Sequence, residues 1–183
     1  ILRPFSMFIM RLFFDRKYLT GRYFDSSYMG FLWAARSIWQ RNILRLAKPL
    51  PWPASLTCIV YDPSNISFHP DDLHIFQVPG TYFQNFKGHI TIGKGSYIAQ
   101  NVGIITANHS FANLDAHEAG RDVSIGKNCW VGMNAVILPG VTLGDRTVVA
   151  AGAVVTKSFN DGYVVIAGVP AKIIKKIDVI HQE

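Results

Sequence analysis

The chain has 183 residues, of which 49% are hydrophobic and 16% are charged, and its formal net charge is +6. This composition excludes intrinsic disorder and fits a single domain with an appendage. The two cysteines, Cys58 and Cys129, are too few and too far apart for a disulfide scaffold or a zinc ribbon, so we expect a reducing cytoplasm as the setting. The apolar stretches are too short to span a bilayer, and no small-residue cleavage site follows the apolar start, so we expect neither a transmembrane helix nor a secretory signal.

Residues 1–53 are predicted to form a basic, aromatic-rich helical region. The first 48 residues hold nine Lys or Arg but only two acidic residues, a net charge of +7. Apolar side chains share the segments 4–24 and 27–48 with these basic residues, which predicts two amphipathic helices that end before a run of prolines. Such helices bind anionic membrane surfaces, cap the open end of a solenoid or pack between subunits, and the sequence leaves these alternatives open. Nucleic acid binding is disfavoured because no recognisable binding module accompanies the basic residues.

Residues 54–160 are predicted to form a parallel β-helix, in which a triangular coil is completed every 18 residues. The first coils are expected to be irregular, with strands at Leu56–Tyr61, Leu73–Val78 and Thr81–Phe86. Further on, a period of six fits a short strand and a corner repeated three times per coil, with the aliphatic residue pointing inward and small residues at the corners. The residues that recur with this period are Ile92, Ile98, Ile104, and then Ile125, Val131, Ile137, Leu143, Val149 and Val155. Residues 161–183 are expected to add a strand and a basic tail.

The period breaks once, between Ile104 and Ile125, which predicts a protruding loop at residues 110–122. This loop is polar and carries Asp115, His117 and Glu118, and His109 lies where it leaves the coil. Long loops on a rigid scaffold are usually functional, so we expect the active residues here.

Four segments resemble the hexapeptide-repeat acyltransferases, and among them the galactoside, maltose and capsule or exopolysaccharide O-acetyltransferases. They are IAQNVGIITANH (98–109), IGKNCWVGMNAVILPGVTLGD (125–145), VVAAGAVVTKSF (148–159) and AGVPAKIIKKI (167–177). The resemblance implies a mainly β fold, a left-handed parallel β-helix, and a homotrimer whose active sites are shared between subunits. It also implies transfer of an acetyl group from acetyl-CoA to a hydroxyl of a saccharide.

His109 aligns with the catalytic base of that family. A neutral imidazole is basic enough at cellular pH to take the proton of an attacking hydroxyl, a contribution of about 10²–10⁴-fold. The partner of its other ring nitrogen stays open between a backbone carbonyl, Asp115, Glu118 and a neighbouring subunit. Asp115, His117 and Glu118 are candidates for contacts to the acceptor, with an exposed loop histidine as the alternative for His117. Asn108 is a candidate for a hydrogen bond to the sugar or, preferably, for a corner with left-handed backbone angles.

The same resemblance assigns the acetyl-CoA site. It implies that Trp130 flanks the acetyl channel and that the backbone N–H of Met133 stabilises the oxyanion. It also implies that pantetheine contacts Ala151, Gly152 and Thr156, and that the nucleotide phosphates contact Lys172 and Lys175. Lys157 and Lys176 are weaker candidates. Direct transfer is expected because Cys129 falls at an inward small-residue position and no nucleophile elbow is present.

Two other functions remain as alternatives. A zinc enzyme on the same fold would need three converging histidines, and the spacing of His89, His109 and His117 is unlike that pattern, so we expect no metal. A non-catalytic scaffold is the second. For the transferase itself we expect a cytoplasmic location, with peripheral attachment to the inner face of the membrane through residues 1–48 as an option.

Overall fold

A computed structural model describes residues 2–178, so residues 179–183 of the predicted basic tail lie outside the described part of the chain. The chain forms two compact units. The first comprises the residues up to Cys58 together with His69–Pro79, and the second comprises Ile59–Phe68 together with the residues from Gly80 onward.

The helices of the first unit are shorter than predicted. Helix α1 covers Leu2–Met10, a 3₁₀ turn covers Arg16–Tyr18, and helix α2 covers Met29–Ser37 and continues as a π-helical turn over Ile38–Ile43. The first predicted helix ends at Met10, and at the far end of the predicted segment Gly21 has a positive φ of 85° and its amide donates to the Asp25 carboxylate at 2.7 Å. This local turn competes with helical hydrogen bonds.

A buried arginine holds the first unit together. The Arg41 side chain is only 2% exposed, and its guanidinium donates to the carbonyls of Lys48, Ser55 and Cys58. Burial lowers the pKa of Arg41, but the ring of carbonyl oxygens satisfies a charge that would otherwise be costly in the interior. Hydrogen bonds from this single side chain therefore hold the segment that follows the π-helical turn.

The predicted strand at Leu73–Val78 is wrong. Pro70–Phe76 is a 3₁₀ helix that belongs to the first unit, with Pro70 in its first turn and the His69 side chain accepting from the Asp71 amide. Leu73, Ile75 and Phe76 are completely buried, so the apolar run reflects burial on several sides and not a strand.

The second unit is a parallel β-helix with a hairpin at its C-terminal end. Its strands are β1 (Ile59–Val60), β2 (Ile66–Ser67), β3 (Tyr82–Gln84), β4 (Ile90–Ile92), β5 (Tyr97–Ile98), β6 (Gly103–Ile105), β7 (Val123–Ile125), β8 (Trp130–Val131), β9 (Val136–Ile137), β10 (Thr142–Leu143), β11 (Val148–Val149), β12 (Val154–Val155), β13 (Val164–Gly168) and β14 (Ala171–Lys176). Only the β13–β14 pair is antiparallel among the described strands.

Three sheets run along the three sides of the prism. Sheet 1 has the order β1-β3-β6-β9-β12, sheet 2 the order β10-β7-β4-β2, and sheet 3 the order β14-β13-β11-β8-β5. From β4 to β12 the successive strands visit sheets 2, 3 and 1 in turn, and Ser124 pairs with Thr142, which follows it by 18 residues. The predicted coil length is confirmed.

The interior of the prism is made by the residues with the six-residue period. All nine of them are between 0% and 3% exposed. The small residues at the corners are also buried, and other corner positions adopt positive φ, for example 57° at Asn101 and 59° at Asn134. Asparagine tolerates this conformation, which explains how the chain turns without a glycine at every corner.

The outer faces of the three sheets differ in polarity. The outward residues of sheet 2 are hydroxyl side chains, in register at Ser67, Thr91, Ser124 and Thr142. Those of β5, β8, β11 and β13 in sheet 3 are apolar, in register at Tyr97, Trp130, Val148 and Val165, and the edge strand β14 adds Lys175 opposite Val165. Those of sheet 1 are Ile59, Tyr82, Gly103, Val136 and Val154. Two faces of the prism therefore present apolar surface and one presents polar surface.

No helix between residues 2 and 178 has the length and apolarity needed to cross a bilayer.

Candidate active site

The predicted loop leaves the prism between β6 and β7. Thr91 and Ser124 pair in sheet 2 although they are 33 residues apart, 15 more than one coil. The extra residues form an excursion over residues 106–122, which is closed at its base by a hydrogen bond from the Arg121 amide to the Thr106 carbonyl at 2.8 Å. The break of the six-residue period thus marks a real departure from the coil.

His109 is held by the backbone of its own excursion. Its Nδ1 lies 2.7 Å from the carbonyl oxygen of Leu114. A carbonyl can only accept, so Nδ1 carries the proton and the Nε2 lone pair is left available. Of the four partners left open by the sequence, the structure selects a backbone carbonyl, and His109 is exposed.

His117 lies directly against His109. The two residues form an antiparallel bridge, and their ring centroids are 4.3 Å apart with an interplanar angle of 33°. On its other side the His117 ring meets Phe86 in a T-shaped contact at 4.9 Å. Phe86 in turn contacts Tyr61 at 5.7 Å, so aromatic side chains connect the excursion to the first coil.

Gln84 fixes the base of the excursion, a role that the sequence analysis missed. Its Oε1 accepts from the amides of Thr106 and Ala107 at 3.1 and 3.0 Å, and its Nε2 donates to the Ala107 carbonyl at 3.0 Å. The side chain therefore substitutes for strand pairing where the chain turns away from sheet 1. A polar residue at the end of a strand is the only sequence signal of this contact, and it is a weak one.

Substitution Gln84→Leu is expected to loosen the excursion, because the Ala107 amide loses its acceptor. We expect a loss of about 1–3 kcal/mol in the free energy of unfolding and faster amide hydrogen exchange in residues 106–121. Exchange measured by mass spectrometry checks this, with the exposed Gln100→Leu as the matched control. Equal exchange in the two variants would contradict the role of Gln84.

The remaining acceptor candidates lie on the excursion with exposed side chains. Asn108, Asp115 and Glu118 are all exposed, and the Glu118 amide donates to the Asn108 carbonyl at 2.9 Å. The preferred interpretation of Asn108 as a left-handed corner is wrong, because it is not among the residues with positive φ. That conformation belongs to corners inside the regular coils, whereas Asn108 directly precedes the bridge residue His109.

The candidates for the acetyl end of the CoA site lie on successive coils. Trp130 is outward on β8 and 56% exposed, and Met133 is 46% exposed at the corner before β9. The Gly152 amide donates to the Met133 carbonyl at 2.8 Å, which brings the Ala151–Gly152 corner next to Met133. Among residues 2–178, no acceptor is bonded to the Met133 amide, so this N–H is available to a ligand.

The space beside the Gly152 backbone at this corner is open. Its φ is 70°, and a Cβ at this position would meet no atom within 4 Å. Ala151, Gly152 and Thr156 are all exposed. The backbone here is accessible to a narrow chain such as pantetheine.

The lysines of the C-terminal region fall into two groups. Lys172 and Lys175 are exposed on β14. Lys157 and Lys176, the weaker candidates, line a cavity of about 630 Å³ together with Phe159, Tyr163 and Ile173. The cavity combines two ammonium groups with aromatic walls.

Cys129 is confirmed as an interior residue. It is 1% exposed, and its Sγ lies 3.3 Å from the Gly144 carbonyl oxygen. Burial raises the pKa of the Cys129 thiol, so it stays protonated at neutral pH and is a poor nucleophile.

The three histidines considered for zinc do not converge. His109 and His117 are together, but His89 lies at the sheet 2 side, where its Nε2 is 2.8 Å from the Ser67 hydroxyl. In the part of the chain that the structure describes, no group of three or more His, Cys, Asp or Glu side chains is arranged to hold a metal ion.

His109 and the CoA candidates lie at different corners of the same prism. The excursion leaves between sheets 1 and 2, whereas Met133 lies between sheets 3 and 1. Within one chain, the excursion that carries His109 and the corner that carries Met133 therefore lie on opposite sides of sheet 1.

Residues 122–157 match the family described as "Bacterial transferase hexapeptide (six repeats)". The chain is 38% identical over 96 residues to galactoside O-acetyltransferase of Escherichia coli K12, covering 49% of this chain and 45% of that protein. It spans about half the length of the curated relatives it matches.

Solved structures give similar matches. A maltose O-acetyltransferase from Clostridium difficile 630 is 38% identical with a TM-score of 0.48, covering 54% of this chain and 56% of that one. A hexapeptide-repeat acetyltransferase from Vibrio cholerae, complexed with acetyl-CoA, is 32% identical with a TM-score of 0.47, covering 50% and 51%. The resemblance to hexapeptide-repeat acyltransferases is confirmed, and with it the mainly β, left-handed parallel β-helix.

Proposed function

We propose that this chain is an acetyl-CoA-dependent O-acetyltransferase that acts on a hydroxyl of a saccharide, such as a capsule, exopolysaccharide or lipopolysaccharide precursor. The observation that carries the proposal is the geometry of His109: a carbonyl holds Nδ1–H in an exposed residue, which leaves the lone pair of the opposite nitrogen to act as a base. The similarity to galactoside O-acetyltransferase supports the class of reaction.

The proposed reaction is a direct transfer. Nε2 of His109 takes the proton of the acceptor hydroxyl while that oxygen attacks the thioester carbonyl of acetyl-CoA. The Met133 N–H stabilises the oxyanion of the tetrahedral intermediate. The intermediate collapses by breaking the carbon–sulfur bond, and the CoA thiolate takes the proton back from His109, which leaves acetylated saccharide, CoA and unchanged enzyme.

The exposed corner at Ala151 and Gly152 supports a pantetheine path that starts beside Trp130 and passes Thr156. Lys172 and Lys175 would meet the phosphates as point charges, whereas the cavity of Lys157 and Lys176 offers aromatic walls as well. The exposed side chains of Asn108, Asp115 and Glu118 surround the base and would contact the acceptor.

The site is completed by a second copy of the chain in a proposed homotrimer. His109 and Met133 lie at different corners of one prism, so a neighbouring subunit must supply one of them to each site. The apolar outer faces of sheets 1 and 3 support this, since Tyr97 and Trp130 are 51% and 56% exposed in the single chain.

A screen of acceptors tests the proposal. Acetyl-CoA is incubated with free and lipid-linked saccharides, and CoA thiol release and product mass are measured together. We expect acceptor-dependent release of CoA. Activity that requires added zinc would favour the metalloenzyme alternative, and absence of any turnover across the screen would favour a non-catalytic scaffold.

We further propose that residues 1–48 attach the enzyme to the inner face of the cytoplasmic membrane, near lipid-linked acceptors. Eight of the nine basic residues before residue 49 are exposed. They accompany exposed apolar side chains, which are Phe5, Phe8, Leu12, Leu32, Trp39, Ile43 and Leu46. An interfacial surface needs both kinds of group. Packing between subunits or against the end of the prism is the alternative.

The double variant Phe8→Ser/Trp39→Ser is expected to reduce binding to vesicles that contain anionic lipid, because it removes two exposed anchors. The single variant Arg11→Ala should weaken binding about five-fold, since each basic residue near an anionic surface adds about 1 kcal/mol. Flotation with neutral and anionic vesicles checks both. Phe111→Ser, which changes a 93% exposed aromatic of the second unit, is the control, and flotation unchanged from wild type in all variants would reject the attachment.

A further inference from the structure

The His109 ring is constrained at only one point by its hydrogen bond. A bond from Nδ1 to the Leu114 carbonyl fixes the distance between two atoms, but coupled rotations of χ1 and χ2 still allow the imidazole plane to pivot. Nε2 would sweep through an arc during that motion. Displacements of about 1 Å cost about 10²-fold in rate, so a base needs a second constraint.

The tip of the excursion does not provide that constraint. Phe111 is 93% exposed and Leu114 is 70% exposed, so the side chains nearest the carbonyl pack against little of the described chain. The backbone of the tip is ordered locally by the Asp115 amide, which donates to the Asn113 side chain at 3.0 Å. This turn positions the carbonyl and not the imidazole ring.

The second constraint comes from His117. Its ring faces His109 at 4.3 Å, and Phe86 supports it at 4.9 Å with an interplanar angle of 82°. The bridge between the two histidines is closed by the bond from the Ser110 amide to the Ala116 carbonyl at 2.9 Å. A packed ring on one side of an imidazole blocks the pivot that a single hydrogen bond allows.

We propose that His117, supported by Phe86, is a positioning residue that fixes the plane of the His109 ring and so directs Nε2 toward the acceptor hydroxyl. The inference rests on the proposed function. His117 is half-buried between His109 and Phe86, so its faces are occupied and it acts through His109 and not by contact with the sugar. This replaces the expectation that His117 lines the acceptor pocket.

Two substitutions of His117 distinguish a positioning role from direct contact with the acceptor. His117→Ala removes the stacked ring, and His117→Phe keeps a flat ring but removes both nitrogens. We expect His117→Ala to lower kcat by about 10–100-fold with KM for the acceptor unchanged, and His117→Phe to retain kcat within about three-fold. His89→Ala, a half-buried histidine of sheet 2, is the matched control and should match wild type.

A readout that needs no activity accompanies the kinetics. In ¹³C-labelled protein, the order parameters of the His109 ring C–H bonds should be high in wild type and in His117→Phe and lower in His117→Ala, while the Nδ1–H tautomer is kept in all three because the Leu114 carbonyl remains. Equal losses of kcat in both variants, a rise in KM alone, or unchanged order parameters in His117→Ala would overturn the inference. Failure of the proposed function would appear separately, as lack of turnover in wild type with the same pattern of order parameters.

Discussion

Replacing His109 by alanine is expected to lower kcat for acetyl transfer by about 10²–10⁴-fold, because no other group takes the hydroxyl proton. The affinity for acetyl-CoA should remain, since the proposed CoA contacts lie at another corner of the prism. Initial rates at saturating acetyl-CoA, together with binding of CoA measured by calorimetry, check both parts of this expectation.

The thermal stability of the His109→Ala variant is the control for its loss of kcat. The His109 side chain is exposed, and it meets the Leu114 carbonyl and the His117 ring. The His109→Ala variant should therefore unfold at nearly the wild-type temperature. A variant that retains kcat within a few-fold would remove His109 from the mechanism. A variant that loses activity and stability in parallel would assign it a structural role.

The substitution Ile104→Ala is expected to destabilise the β-helix by about 2–5 kcal/mol, through lost burial and the cavity left behind. Ile104 is completely buried and lies in register between Phe83 and Ile137 in sheet 1. Typical domains are stable by about 5–15 kcal/mol, so a large part of the stability would be lost. Equilibrium unfolding in urea measures the change.

Ile59→Ala provides the matched control. Ile59 lies in the same sheet but points outward and is 49% exposed, so its truncation should cost less than about 1 kcal/mol. If the two substitutions had equal effects, the inward direction of the six-residue period would be incorrect.

The sequence was sufficient to predict the regular part of the fold, because its period is a direct consequence of coil geometry. Each residue of the period points inward, so burial restricts it to an aliphatic side chain and leaves a readable signal. The excursion was also predictable, since a break in a strict period has no other local explanation. His109 followed from its place at that break together with the resemblance.

Other features have no local signal. The partner of His109 is the carbonyl of Leu114, and a backbone carbonyl is present at every residue, so only the fold selects it. The stack of His117 on His109 depends on the path of the excursion. The run Leu73–Val78 was misassigned because a short apolar segment does not distinguish a buried 3₁₀ helix from a strand.

The most direct test of the account is a single reaction analysed by intact mass spectrometry of both saccharide and protein. With acetyl-CoA and an accepted saccharide, we expect one acetyl group on the sugar for each CoA released, an unmodified protein, and release of both products about 10²–10⁴-fold more slowly when His109 is alanine. Acetyl groups on the protein, or undiminished acetylation of the sugar by His109→Ala, would contradict direct transfer by this base.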